Sequence, residues 1–297
     1  MYRGVHEPIN TKKDKHMAIR PDYSIQINGK LYNLSKPHVM GILNVTPDSF
    51  YAQSRAQEEC HIIERVQQIL DEGGDFIDVG AYSSRPDASD VSAQEEMNRL
   101  RSALKIIRRE FPQAVISVDT FRADVAACCV EEFGVGIIND ITGGTADENM
   151  FNTVAQLGVP YVLMHMRGTP QTMQGLTDYH DLIPDITLFL AQQIDRLREI
   201  GAKDLIIDPG FGFSKTMEQN YQLLQHMDAL HILELPILVG VSRKSMIYRL
   251  LGTSPDEALI GTTVLNTIAL QKGVSILRVH DVKACRETIT LLNKLSE

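Results

Sequence analysis

Eight short apolar runs along the chain each end on polar or charged residues. Met40–Asn44 ends on an asparagine, Phe76–Asp78 and Val115–Asp119 on aspartates, and Gly136–Asp140 on an Asn-Asp pair. Tyr161–His165, Leu205–Asp208, Ile237–Lys244 and Ile276–Asp281 complete the series. Continuous Val/Ile/Leu runs are what strands buried on both faces of a parallel sheet require. Between the runs the apolar period lengthens to that of a helix. Ile62, Val66, Ile69 and Leu70 share one face of a predicted helix over Glu58–Glu72, closed by Gly73-Gly74. Ser92 and Glu95 read as a capping box opening a helix over Ala93–Glu110, with Pro112 just past its end. Further helices are predicted over Arg122–Glu132, Glu148–Gln156, Pro184–Ile200, Met217–Leu230, Pro255–Gln271 and Val282–Leu295.

Eight strands alternating with helices predict an α/β fold, a (β/α)8 TIM barrel. The nearest alternative, an open doubly wound sheet, lacks its usual marker, since no G-x-G-x-x-G or P-loop follows the first strand. Ahead of the barrel, Tyr23–Tyr32 alternates around Asn28-Gly29, a β-hairpin pattern. This N-terminal β-hairpin is expected to close the bottom of the barrel. Residues 21–297 are therefore read as one domain. Met1–Arg20, polar and carrying five Lys/Arg without an apolar core segment, is read as a flexible tail rather than a signal peptide.

Charge and composition narrow the partners. A formal net charge of −9 argues against a nucleic-acid partner, which requires a basic face. No apolar run approaches the roughly 18 residues of a membrane span, so no membrane partner is expected. Cys60, Cys128, Cys129 and Cys285 have neither CxxC nor metal-site spacing, which fits reduced thiols and a cytoplasmic location.

In a β/α barrel the site forms where the strands end, so the terminal residues carry the chemistry. Strand side chains alternate, placing Asn44 with Ile42, Asp119 with Ser117, Asp208 with Ile206, and His280 with Arg278 on shared faces. Buried acids need partners. A ligand rich in N–H donors, such as the edge of an aminopyrimidinone, supplies them. Arg85, Lys244, Arg278 and His280 form a second, basic group suited to an anion such as phosphate. A lone aspartate at a strand end is ordinarily a cap or turn former; here the convergence on one rim carries the reading. His165 lacks a second ligand at metal spacing and is read as a structural histidine hydrogen-bonded within the barrel, and His226 and His231 as surface groups.

Six segments, in order, carry a family resemblance. They are Met40–Phe50, Ser83–Pro86, Leu163–Gln174, Asp208–Phe213, Ser242–Ser245 and Arg278–Asp281. Together they resemble the dihydropteroate synthases, pterin-binding enzymes of folate biosynthesis, from about Tyr23 to the C-terminus. The resemblance implies a transferase that joins 6-hydroxymethyl-7,8-dihydropterin pyrophosphate to 4-aminobenzoate, with Mg²⁺ as cofactor. It also implies a sulfonamide-target class of enzyme and a homodimer through the late helices, where Met246, Ile247, Leu250, Leu251, Leu259, Val264 and Ile268 are apolar.

By position, the resemblance assigns Asp119, Asn139, Asp208 and Lys244 to the pterin ring, with Asp78 supporting them and Met164 and Phe213 enclosing the ring. Asn44 would ligate Mg²⁺, and Arg278 and His280 would hold the pyrophosphate. Thr46, Pro47, Asp48, Ser49 and Phe50 would form one closing loop and Ser83, Ser84 and Arg85 another, with Ser242 near the aminobenzoate. Asp119, Lys244, Arg278 and His280 are the residues expected to act in catalysis. The implied chemistry is a substitution with strong cation character and no covalent enzyme intermediate. The chain departs from the common family pattern at Tyr51–Arg55, at Ala81, Tyr82 and Ser84, and at Ser214, which bears on loop closure more than on the pterin pocket. A pterin-dependent methyltransferase would share the acids without needing Asn44, Arg278 and His280. A pterin-binding paralogue without turnover is the other alternative.

Overall fold

The computed structural model describes residues 22–46, 55–82 and 91–296. The tail expected at Met1–Arg20 lies outside the described residues, as do Pro47, Asp48, Ser49, Phe50, Ser83, Ser84 and Arg85. Strands β1 (Ser24–Ile27) and β2 (Lys30–Asn33) form the expected antiparallel hairpin. Asn28 (φ 48°) and Gly29 (φ 77°) are both left-handed, as a two-residue type I′ turn requires, which is why Asn-Gly stands there.

Eight parallel strands follow: β3 (His38–Asn44), β4 (Phe76–Gly80), β5 (Ile116–Asp119), β6 (Ile137–Asp140), β7 (Tyr161–Met164), β8 (Leu205–Asp208), β9 (Leu238–Val239) and β10 (Ile276–Val279). β10 pairs with both β3 and β9, and an isolated parallel bridge between Ile207 and Ile237 joins β8 to the start of β9, closing the ring. The helices are α1 (Arg55–Asp71), α2 (Ala93–Glu110), α3 (Ala123–Phe133), α4 (Met150–Leu157), α5 (Leu182–Glu199), α6 (Met217–Gln225), α7 (Ser245–Leu251), α8 (Leu259–Gln271) and α9 (Val282–Ser296).

The alternation of side chains divides the barrel into two cores. Outward residues such as Val39, Leu43, Ile77, Val79, Val118 and Leu163 pack against the helices. Inward residues Met40, Phe76, Ile137, Val162, Ile206, Leu238 and Ile276 make a separate apolar plug, sealed from below by Ile25 and Ile27 of the hairpin and Leu34 just after it. Two residues further along β4, β6, β8 and β10 the interior turns polar, at Asp78, Asn139, Asp208 and Arg278. The apolar floor thus fixes the depth at which the site begins.

Three expectations change in detail. The helix predicted to run to Leu230 stops at Gln225 and resumes as a 3₁₀ helix over Met227–Leu233. Met227 and Leu230 are both buried three residues apart, a spacing that three residues per turn satisfies better than 3.6. Pro255 opens a 3₁₀ turn of its own, ahead of α8. Of the capping box before α2 only half forms: Ser92 Oγ accepts from Glu95 N–H at 3.2 Å, while the Glu95 carboxylate pairs with Arg99 at 2.8 Å.

Candidate active site

Strands β4, β5, β6, β8 and β10 deliver their last inward residues to one polar layer above the plug. Arg278 of β10 stands in its centre. Its Nε donates to Asp78 Oδ2 at 2.6 Å and its Nη2 to Asp119 Oδ2 at 2.9 Å. Asp78 is fully buried and also accepts from Ser117 Oγ at 2.6 Å and Asn139 Nδ2 at 3.1 Å. Ser117, Asn139 and Arg278, from three different strands, are therefore tied to this one carboxylate. Such a network holds the acids in place, because a lone buried carboxylate is costly.

Across the barrel, Asp208 ends β8 and accepts from Gly210 N–H at 2.7 Å. Lys244, just before α7, donates to the Phe211 carbonyl, and its Nζ lies 4.6 Å from the centre of the Phe213 ring. Phe213, Met164, Ile141, Met166 and Met173 form a small apolar cluster beside the acids, with Phe121 packed on it. The arrangement offers an apolar wall beside a row of acids, a shape and polarity that suit a flat heterocycle.

Burial governs the protonation of this layer. It raises Asp119 to about 7, against the pull of Arg278, and raises Asp208 against Lys244. It lowers Lys244 to about 8, with Asp208 opposing. His280 is lowered to about 4 by burial and by Arg278 and Arg243, so at neutral pH it is a neutral hydrogen-bonding group rather than one of the cations its position suggested. Ser242 Oγ accepts from the His280 backbone N–H at 3.2 Å and lies 3.1 Å from its Nδ1.

At the mouth, Asn44 is exposed at the end of β3. A Cβ at Gly80 would lie 3.5 Å from the Asn44 side-chain oxygen and 3.6 Å from Asp119 Cβ, so these three residues meet across β3, β4 and β5. Gly80 leaves the space between them open.

The family model for pterin-binding enzymes matches residues 40–280. The chain belongs to the pterin-binding enzyme family. Within that family it stands with the dihydropteroate synthases, transferases of folate biosynthesis. The dihydropteroate synthase of Escherichia coli (strain K12) is 40% identical over 266 residues, covering 89% of this chain and 93% of that protein. The Yersinia pestis dihydropteroate synthase, solved with a sulfonamide drug, superposes with a TM-score of 0.84 at 38% identity, covering 92% of this chain and 99% of that one. The Thermus thermophilus enzyme, solved with 4-aminobenzoate, gives 0.82 at 34% identity, covering 92% and 100%.

Of the positions expected to carry family functions, the structure links Asp78, Asp119, Asn139 and Arg278 by hydrogen bonds, sets Lys244 over Phe213 in the cluster that holds Met164, pairs Met164 with Asp208 across β7 and β8, and joins Ser242 to His280. Thr46 follows β3 and is the last described residue before Pro47. Several supporting residues escaped the reading of strand ends. Arg65 of α1 reaches through to the carbonyls of Ile42 at 3.2 Å and His280 at 2.5 Å, clamping β3 to the end of β10. Tyr82 accepts from Gln171 Nε2 at 2.7 Å and meets Phe121 edge-on at 5.1 Å, joining the loops after β4, β5 and β7. His165 is hydrogen-bonded as expected, but on the outer face of β7, where it packs edge-on against Phe189. His231 is half-buried and bonded to the Lys272 carbonyl at 2.7 Å, whereas His226 is exposed as expected.

Proposed function

We propose a division of labour by which this barrel makes 7,8-dihydropteroate from 6-hydroxymethyl-7,8-dihydropterin pyrophosphate and 4-aminobenzoate. The observation that carries it is Arg278, held between Asp78 and Asp119 at 2.6 and 2.9 Å in a polar layer on an apolar floor. Asp119, Asn139 and Asp208 receive the amino and ring N–H donors of the pterin, and Asp78 holds the layer beneath. Lys244 donates to the ring's carbonyl acceptor, while Met164 and Phe213 enclose its faces. Arg278 and His280 meet the pyrophosphate, with Ser242 fixing the imidazole.

Asn44 is the residue we assign to Mg²⁺. Among the described residues no group of three or more His, Cys, Asp or Glu could hold a metal ion, so the ion would draw most of its oxygens from substrate phosphates and water. That is how Mg²⁺ is usually held, and a single exposed amide oxygen at the mouth fits it. Bound there, Mg²⁺ supplies charge neutralisation for the departing pyrophosphate.

The exocyclic C–O bond breaks and its electron pair leaves with pyrophosphate. The electron-rich dihydropterin carries the positive charge that develops, and the acids around the ring favour it electrostatically. The arylamine lone pair forms the new C–N bond and a proton is released. The loops Thr46–Phe50 and Ser83–Arg85 would cover the site and shape the aminobenzoate pocket. Sulfonamides would compete there.

The assembly is a homodimer through α7 and α8, whose Leu250, Leu251, Ile260 and Val264 are exposed at 58%, 56%, 78% and 51%. Cys60, Cys128, Cys129 and Cys285 are all free thiols, which supports a reducing, cytoplasmic setting.

Two variants test the roles separately. Asn44→Ala should raise the Mg²⁺ concentration for half-maximal turnover by about tenfold, with pterin affinity nearly unchanged. Lys244→Ala should weaken binding of 6-hydroxymethylpterin by about tenfold or more. An Asn44→Ala enzyme with unaltered Mg²⁺ dependence, or a Lys244→Ala enzyme with unaltered pterin affinity, contradicts the assignment.

A further inference from the structure

The loop after β8 must bring Phe213 and the Phe211 carbonyl to the pocket, and its backbone is held in an unusual shape. Gly210 (φ 74°), Gly212 (φ 80°) and Ser214 (φ 51°) are all left-handed. A Cβ on Gly210 would stand 2.0 Å from the His165 carbonyl oxygen, so the loop crosses the end of β7 in backbone contact. Something has to hold it there. The next two residues, Ser214 and Lys215, are both buried, at 0% and 4% exposure.

Lys215 points back beneath the loop. Its Nζ donates to the carbonyls of Gly210 at 2.9 Å and Phe213 at 3.0 Å, and lies 3.1 Å from His165 Nδ1. An ammonium has three N–H donors and no acceptor, so these three partners use it fully. That match assigns the lone pair of the imidazole to Nδ1. His165 is buried and held neutral, lowered to about 2 by burial and the neighbouring cations Lys215 and Arg167, which keeps that lone pair available. Ser214 Oγ accepts from Arg167 N–H at 2.8 Å and donates to the Arg167 carbonyl at 2.9 Å. Lys215 also lies near enough to Asp208 to favour its ionised form.

We propose that Lys215 and His165 are positioning residues for pterin binding, a pair outside the pocket that sets where Phe213 and the Lys244-bearing Phe211 carbonyl stand. The inference rests on the pterin-site reading above. Lys215 acts through the loop and touches no substrate. Its loss should therefore misplace the pterin wall while leaving the aminobenzoate end intact.

The test uses the full chain and 6-hydroxymethylpterin binding by calorimetry, so it reports even if turnover fails. Lys215→Met keeps length without donors; His165→Leu removes the acceptor; His165→Asn restores an acceptor near Nδ1. Lys215→Met and His165→Leu should each weaken pterin binding by about tenfold. His165→Asn should recover most of that loss, and the KM for 4-aminobenzoate at saturating pterin should stay within about twofold. If Lys215→Met does not fold, the His165 pair decides. Folded variants that bind pterin like wild type overturn the proposal, as does a His165→Asn enzyme no better than His165→Leu. If wild type binds no pterin at all, it is the site reading itself that fails.

Discussion

Asp119 and Lys244 are half-buried and Lys215 is buried, and desolvation drives each toward neutrality, to about 7, 8 and 7 respectively. Pairing resists that drive: Arg278 for Asp119, and Asp208 for both lysines. His165 has no acid in its immediate contacts and simply stays neutral. Its depressed value sets a sign for stability. The unfolded chain binds a proton at histidine below about 6.5, whereas folded His165 does so only near 2. Between those limits the unfolded state holds more protons, so stability is lost as pH falls. The contribution is about 1.4 kcal/mol per pH unit at most. Denaturant midpoints at pH 7 and pH 5 should therefore fall less in His165→Asn than in wild type; equal slopes would contradict it. These residues were poorly legible in the sequence. Asp208 and Lys244 announce themselves at strand ends, but Lys215 earns its role from His165, fifty positions away.

At the scale of elements, the hairpin and the strand ends were readable because one short-range signal fixes each. Asn28-Gly29 dictates a turn, and a run of β-branched residues dictates a doubly buried strand. Helix α7 was not, since its seven residues carry too little period to stand out. Its cap is nonetheless local: Gly252 at φ 66° ends it in a left-handed turn. The hairpin's role is likewise separable from the chemistry. Ile27 is 1% exposed at the closed end of the barrel, and a Cβ on Gly136 would lie 2.5 Å from its Cγ2. Ile27→Ala should cost about 2–5 kcal/mol by urea denaturation, while pterin affinity stays as in wild type. A parallel loss of pterin binding would mean that the floor and the site are coupled more tightly than the two layers indicate.

For the whole molecule, the eight-stranded ring turns eight unrelated sequence segments into one pocket, and that convergence is why residues from Asn44 to His280 read as a set. Surface pattern extends the same logic to assembly. Among the late-helix residues expected to be apolar surface, Met246 and Ile247 are buried at 2% each, but Leu250, Leu251 and Val264 face outward beside Ile260. Isolated exposed leucines are ordinary; a contiguous set on α7 and α8 is what a second copy would cover. Light scattering at micromolar concentration should give twice 33.2 kDa, and Ile260→Lys should shift it toward that single mass. A wild-type monomer would contradict the dimer. The central claim is the reaction itself. Purified protein incubated with 6-hydroxymethyl-7,8-dihydropterin pyrophosphate, 4-aminobenzoate and Mg²⁺ should yield 7,8-dihydropteroate by mass, with pyrophosphate released in equal amount. Bound pterin without that product would contradict the account and leave a binding protein in the fold of a synthase.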